Sequence, residues 1–473
     1  MNSPSRNPVV MTLRTLGSLR LTVALLGMAI FLVFAGTLAQ RFQGIWTVME
    51  QYFRCWVSWI DFKIFFPREA HGEQPVPGGF PFPGGRLLGV ALLANLLVSH
   101  TGRIRIPARG GRRLIGLATL AIGAVLTWTV IAHVFDADSS AKKIDPFWRV
   151  TMQLMQGGGA AAVLFVGCWL VFVRKAGIVL LHSGVIILMM SELSTSISAK
   201  ETTMSIFEGQ TINYVKDTRT VELAIVDGSD PVTDDVFVVP ESLLRKGGTI
   251  HLEGLPFDLQ VPEGKFMKNA GLRPARPADT NPATRGAGLQ WIAAPHAEES
   301  GTDTEGRVDL PGVYVAFRER ASGADLGTFL TALRLTMEKT TQILRSGGRD
   351  YQVSLRFERS YKPYSLYLYN FKATRYPGSE KPKDFSSFVR LEDPGRKMVR
   401  DVRIWMNNPL RYRGETFYQS SFDAVTEKGT VLQVVQNRGW MAPYVACMIV
   451  AVGLLGQFQL HLLEFLRKRR ASS

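Results

Sequence analysis

Basic residues flank the apolar runs of this chain on alternate sides, and that arrangement limits its fold more than any other feature. Apolar runs occupy 21–38, 87–99, 114–135, 157–173 and 176–194, and a sixth lies at 444–463. A helix rises about 1.5 Å per residue, so about 20 apolar residues cross a hydrocarbon layer of about 30 Å. Arg103, Arg105, Arg109, Arg112 and Arg113 follow the second run, Arg174 and Lys175 separate the fourth from the fifth, and Arg467 to Arg470 follow the sixth. Lys and Arg mark the cytoplasmic ends of membrane spans. All these clusters fall on one side when each run crosses once. The expected fold is a membrane α-helical bundle of about six transmembrane helices plus a large extracytoplasmic, mainly-β domain. The second run is short, which keeps a re-entrant turn open as the alternative.

Composition agrees with this segregation. Mean hydropathy is only +0.06 because a polar block separates the apolar ends. The net charge of +15 does not indicate nucleic acid, because the basic runs lack interleaved aromatics. Residues 1–20 are basic, and 36–40 is a poor cleavage site, so the first run reads as a retained span with its N-terminus in the cytoplasm. Three parts follow. Residues 1–195 form a membrane region with about five spans and an interfacial segment, 196–440 the extracytoplasmic domain, and 441–473 a last span with a basic cytoplasmic tail. The expected location is a bacterial-type inner membrane, crossed several times, with both termini cytoplasmic. Cys55, Cys168 and Cys447 form no C-x-x-C pair, so any thiol reduction would need another protein.

Between the spans, short β-rich runs recur between Gly, Pro and Asp, among them 221–226, 257–261, 313–317, 351–358, 366–374, 387–391 and 431–435, which reads as a sandwich or barrel-like domain. Residues 326–343 are a weaker helical candidate, and the Pro/Gly/Ala/Thr-rich 269–306 reads as a mobile insertion. Residues 44–67 mix Trp, Phe and charge, as either an interfacial helix or a helix packed on its own domain. The Pro/Gly-rich 75–85 reads as a breaker without regular structure.

Seven histidines are present, and His100, His133, His182 and His461 lie in or at the ends of apolar runs. An ionisable group inside the membrane is costly and marks a candidate functional site. Imidazole also ligates metals and haem iron. His182, six residues into its run, is the leading candidate for a ligand or proton relay, ahead of His100 and His461. The alternative is a neutral histidine hydrogen-bonded to a neighbouring helix. Gly177 and Gly184 flank His182 and serve either close helix packing or the seating of a flat cofactor. No hydrolase triad order, P-loop, nucleotide fingerprint or H-E-x-x-H occurs, and no catalytic residue is assigned.

Several stretches resemble, in order, the ResB (CcsB) family of system II cytochrome c biogenesis. They are Ser18 to Leu26 (SLRLTVALL), Gly36 to Gln40 (GTLAQ), Gly177 to Leu188 (GIVLLHSGVIIL), Ile206 to Gly209 (IFEG) and Lys383 to Leu391 (KDFSSFVRL). The most specific is Asn408 to Phe422 (NPLRYRGETFYQSSF). The resemblance implies a subunit that works with a ResC/CcsA-like membrane protein to export haem and attach it to apocytochrome c. It implies at most a non-autonomous subunit of a holocytochrome c synthase, since no Trp-rich haem-handling cluster is present. It assigns His182 as a haem ligand, with haem bound transiently, and a thiol-reducing protein in the same pathway is a further implied partner. The alternative is a non-catalytic scaffold that binds apocytochrome c and in which the transmembrane histidine is structural. The pair of runs at 114–135 and 157–173 departs from the four spans common in the family.

Overall fold

A computed structural model describes residues 8–66, 76–103, 106–136, 146–231, 233–299, 308–378, 382–423, 426–437 and 439–472. Its apolar part is built from α1 (Pro8–Leu16), α2 (Leu19–Ala39), the short α3 (Ile45–Val48), α4 (Gly85–Arg103), α5 (Gly110–Asp136), α6 (Pro146–Phe172) and α7 (Ala176–Ser198). Among the described residues, four helical stretches are long and apolar enough to cross a membrane: Leu19–Ala39, Gly110–Ala132, Val150–Ser198 and Ala442–Ala471. The third stretch is 49 residues long and bends at Val173, whose φ of 53° reverses the chain between α6 and α7. Gly85–His100 is apolar but shorter.

α2 begins at an N-cap, where the Ser18 hydroxyl accepts from the Leu21 amide; a capping oxygen there satisfies an otherwise orphaned donor. α4 packs on it through Asn95, which is buried in an apolar run. Asn95 Nδ2 donates to the Leu16 and Ser18 carbonyls at 2.5 and 3.2 Å, and its Oδ1 accepts from Thr22 Oγ1 at 2.7 Å. Ser99 Oγ donates to the Gly17 carbonyl at 2.9 Å. These contacts set α2 and α4 antiparallel, with Gly17 level with Ser99.

Residues 44–66 are not one helix: α3 and a π-helical turn (Met49–Phe53) cover 45–53, the chain then forms β1 (Val57–Asp61), and β2 (Gly79–Pro83) pairs with it antiparallel. The stretch read as a breaker thus contains a strand. Phe80 and Phe82 pack against Phe31 of α2 with ring centroids 6.3 and 5.0 Å apart, and this burial outweighs the low strand propensity of proline.

The strands β3 (Lys200–Phe207), β4 (Thr211–Asp227), β5 (Asp235–Pro240), β6 (Gly248–Ile250), β7 (Phe257–Val261), β8 (Ala270–Pro274), β9 (Trp291–Pro295), β10 (Gly312–Glu319), β11 (Asp325–Ala332) and β12 (Gln342–Ser346) come first. β13 (Arg349–Arg375), β14 (Pro382–Asp393), β15 (Met398–Trp405), β16 (Leu410–Tyr412), β17 (Glu415–Phe422) and β18 (Gly429–Gln436) complete a mainly-β domain. Its principal sheet runs β15-β14-β13-β4-β3-β18-β17-β16, with β12 beside β13 and β5 beside β4. A smaller sheet runs β11-β10-β7-β6. The long β13 serves two cores. Tyr351, Val353 and Leu355 pack with Phe257, Val315 and Phe317 of the small sheet. Leu366 and Leu368 pack with Ile206, Val389, Phe417 and Leu432. Register shifts after Phe357 and Tyr361 separate the halves, as bulges bend a strand.

Residues 326–343 are not a single helix: β11 and β12 flank the short α9 (Leu333–Met337), the second of two short helices in this domain after α8 (Glu241–Lys246). Most of 269–306 is ordered too. β8 and β9 pair, and Leu272, Trp291 and Ala293 pack on Tyr314 and Leu330. Residues 300–306 of that stretch lie outside the described residues. Here cross-strand burial overrides a turn-rich composition. The β domain also meets α3: Thr47 Oγ1 donates to Glu298 Oε2 at 2.6 Å, Lys268 Nζ lies 2.9 Å from the same carboxylate, and the Arg219 guanidinium of β4 stacks 3.3 Å over the Trp46 ring.

β3 and β18 pair antiparallel from Lys200↔Gln436 onward. The first continues α7 and the second leads into α10 (Ala442–Ser472). The two helices therefore leave the sheet side by side, and glycine lets them approach. A Cβ on Gly177 would stand 2.4 Å from the Gly453 carbonyl, and one on Gly184 3.0 Å from the Ala446 carbonyl.

A histidine pair between α4 and α7

Ile178, Val179, His182, Val185 and Met189 follow a helical spacing that places them on one face of α7, with Lys175 at its N-cap. That face looks onto α2 and α4 across a cavity of about 500 Å³, also lined by Leu19, Thr22, Leu26, Leu92, Asn95, Leu96, Ser99 and His100. Ligand cavities fall in the range of ~300–1,000 Å³ and are mostly apolar with a few convergent polar groups, as this one is.

The polar groups meet at His100 and His182, whose ring centroids lie 4.3 Å apart at an interplanar angle of 50°. His182 Nδ1 lies 2.8 Å from the Ile178 carbonyl and His100 Nδ1 2.9 Å from the Leu96 carbonyl. A carbonyl can only accept, so Nδ1 is the donor in each ring, which leaves Nε2 as the nitrogen that could ligate a metal. The two rings cannot ligate one haem iron from opposite faces in this arrangement. With iron–nitrogen bonds of about 2 Å on each side, trans imidazole centroids stand roughly 6 Å apart.

The structure brings together two of the three histidines singled out from sequence. His461, on α10, lies elsewhere: Gln457 Nε2 donates to its Nε2 at 2.8 Å and to the Arg174 carbonyl at 3.1 Å, and Gln457 Oε1 accepts from the Ile178 amide at 3.3 Å. His461 does not line the cavity. His133 belongs to α5, with its side chain outside the described residues. Gly177 and Gly184 project away from the cavity toward α10, so their closeness serves helix packing. Among the described residues, no three His, Cys, Asp or Glu side chains gather as a metal cluster. Sequence reading passed over Asn95 and took Lys175 only as a topology signal, although a lone amide in an apolar run was a visible one.

The motif at 408–422 has a structural role. Leu410, Tyr412 and Phe417 are buried. Tyr412 donates to Asp393 Oδ2 at 2.5 Å, and Arg413 Nη2 lies 2.7 Å from the same oxygen. The Tyr412 hydroxyl, the Arg396 amide and Arg413 hold the Asp393 carboxyl below its ordinary range. Tyr364 donates to Glu415, and Lys362 Nζ lies 2.6 Å from that carboxylate. Burial, then the Glu415 charge, pushes the Tyr364 hydroxyl far up.

A family model described as the ResB-like family matches residues 326–430, from β11 into β18. Protein NrfI of Wolinella succinogenes is 42% identical over 93 residues, which make up 20% of this chain and 10% of that relative. The match therefore spans about a tenth of the relative's length. The residues matched by the family model include the Lys383 to Leu391 and Asn408 to Phe422 stretches, so this part of the β domain is similar to the ResB-like family.

Proposed function

We propose that this membrane protein acts in cytochrome c biogenesis as the ResB-like subunit of a system II complex, receiving haem as cargo in the cavity between α2, α4 and α7. The observation that carries the reading is the His100–His182 pair set in an otherwise apolar cavity. A tetrapyrrole needs an apolar slot and a neutral imidazole nitrogen; His182 offers the nitrogen, and Leu26, Leu92, Val185 and Met189 supply apolar lining. The 4.3 Å spacing supports a reading in which His182 would hold the haem iron and His100 would stand beside it, excluding water and orienting its neighbour.

In this reading six helices cross the inner membrane, α4 among them, with Arg112, Arg174 and Arg467 to Arg470 on the cytoplasmic side and the β domain outside. The partners are a ResC/CcsA-like membrane protein and apocytochrome c, with a thiol-reducing protein supplying the two free thiols. In this reading the chain is a non-autonomous subunit, and attachment of haem belongs to the assembled complex.

A second reading is favoured by one observation: the family match lies wholly within the β domain and excludes His182. On that reading the domain holds apocytochrome c and the histidines are packing groups. Purification of the full chain with any Trp-rich membrane partner, followed by haem assay, separates the two. Haem lost from His182→Ala supports the cargo site. Unchanged haem and unchanged cytochrome c yield would sink it and leave the scaffold.

A further inference from the structure

The β1–β2 hairpin packs against the second half of α2, a helix long and apolar enough to cross a membrane. Phe31 of α2 packs against Phe65, Phe80 and Phe82, with ring centroids 6.2, 6.3 and 5.0 Å away, and Phe34 packs against Phe65 at 6.5 Å. Phe31 lies two turns before the helix ends at Ala39, about 12 Å along the axis. The antiparallel register set by Thr22 with Asn95 and Gly17 with Ser99 brings Gly85, the first residue of α4, level with Phe31. Gly85–His100 rises about 24 Å, less than the ~30 Å of a hydrocarbon layer. The hairpin, joined to α4 through Gly84, occupies the space above the short helix.

Two features adapt it to that place. The first is its outer face. Ser58 and Ile60 are fully buried on the inner side of β1, whereas Val57 and Trp59 are 64% and 56% exposed and the preceding Trp56 is 53% exposed. Trp with an adjacent aliphatic side chain is the chemistry of the boundary between headgroups and acyl chains. The second is its edge. The Gly84 amide donates to the Trp56 carbonyl and the Phe62 amide to the Gly78 carbonyl. Hydrogen-bonded and outward-facing pairs alternate along an antiparallel ladder, so the pairs Val57↔Pro83 and Trp59↔Pro81 turn their backbone nitrogens outward. At Pro81 and Pro83 those nitrogens carry no hydrogen. Two outward donors are thus absent from the outer edge of β2, while the Val57 and Trp59 amides on the edge of β1 fall to the polar headgroup layer.

We propose that the β1–β2 hairpin is embedded in the lipid boundary at the Ala39 end of α2, with Trp56, Val57 and Trp59 in contact with lipid, and that it completes the membrane crossing begun by α4. The bilayer is its partner, and the proposal is independent of what the histidine cavity holds.

The test uses the full chain with Cys55, Cys168 and Cys447 replaced by alanine and one bimane-labelled cysteine, reconstituted in phosphatidylcholine vesicles. Val57→Cys and Trp59→Cys are the probes, and Val399→Cys on β15 (67% exposed) is the reference. Expected is loss of bimane emission at 57 and 59 with a nitroxide placed high on the acyl chain, a smaller loss with one near the chain end, and little quenching by aqueous iodide. The reference should respond to iodide alone. Iodide quenching at 57 equal to that at 399 would overturn the proposal by placing the hairpin in water. Resistance to both quenchers would overturn it by placing protein over the face. If the alanine background does not fold, Trp59→Phe in the natural cysteine background gives the same answer: brominated lipid should quench a smaller share of the variant's tryptophan emission, and an unchanged share contradicts lipid contact.

Discussion

The rings of His100 and His182 stand 4.3 Å apart, although 82 positions separate them, because Asn95 and Ser99 fasten α4 to the start of α2 and both helices face α7 across one cavity. Each ring is oriented by a carbonyl one turn earlier in its own helix.

His182→Ala is expected to remove most of the haem that accompanies the purified full chain. Loss of a group that merely orients a ligand costs about 10–100-fold in metal affinity, and the ligand itself should cost no less. His100→Ala should keep haem but shift its reduced absorption spectrum. Pyridine haemochrome quantitation with spectra of the reduced form checks both; identical haem content in His182→Ala and the parent refutes the assignment.

Gly177→Val should loosen the α7–α10 pair. Its added carbons would meet the Gly453 carbonyl and Gln457 Cβ, and overpacking of this kind costs about 1–3 kcal/mol. A lowered melting temperature in detergent is expected, while Ser183→Val, at an exposed position of the same helix, should melt near the parent value.

Glu222 and Arg356 form a nearly buried ion pair across β4 and β13, with Arg356 Nε 2.9 Å from Glu222 Oε1. Glu222→Ala leaves a buried guanidinium uncompensated, and such losses run to about 3–5 kcal/mol. Replacing both residues together, Glu222→Leu with Arg356→Met, should recover most of the loss. Denaturant midpoints of the full chain in detergent measure both, and equal midpoints for the single and double variants would count against the pairing energy.

Acid should weaken the β domain. Arg273, then the Arg276 amide, holds the Asp279 carboxyl at about 2, and Asp393 is also held low. A carboxyl lowered by folding adds stability above its unfolded value, near 3.8 for these groups, and that stability disappears as pH falls through the folded value. The melting temperature should therefore drop between about pH 4 and pH 2. Asp279→Asn should start lower at neutral pH and fall less on acidification; a slope equal to the parent's would disprove the contribution.

The sequence by itself determined the apolar helices, because a long run of low-polarity residues has no other stable place for its backbone than a helix in lipid. It also determined most strands of the β domain, since the expected runs at 257–261 and 431–435 fall within β7 and β18, where branched and aromatic side chains alternate in and out. Only the tertiary structure decided the outcome where a segment's fold depends on distant partners. Gly79–Pro83 is a strand because Phe31 of α2 buries its phenylalanines. β8 and β9 are ordered because Tyr314 and Leu330 lie beneath them. The histidines obey the same rule. Each run marks its histidine as costly, but the pairing of His100 with His182, and the separation of His461 from both, depends on how the helices are fastened together. That is a matter of side chains far apart in sequence, to which local hydropathy is blind.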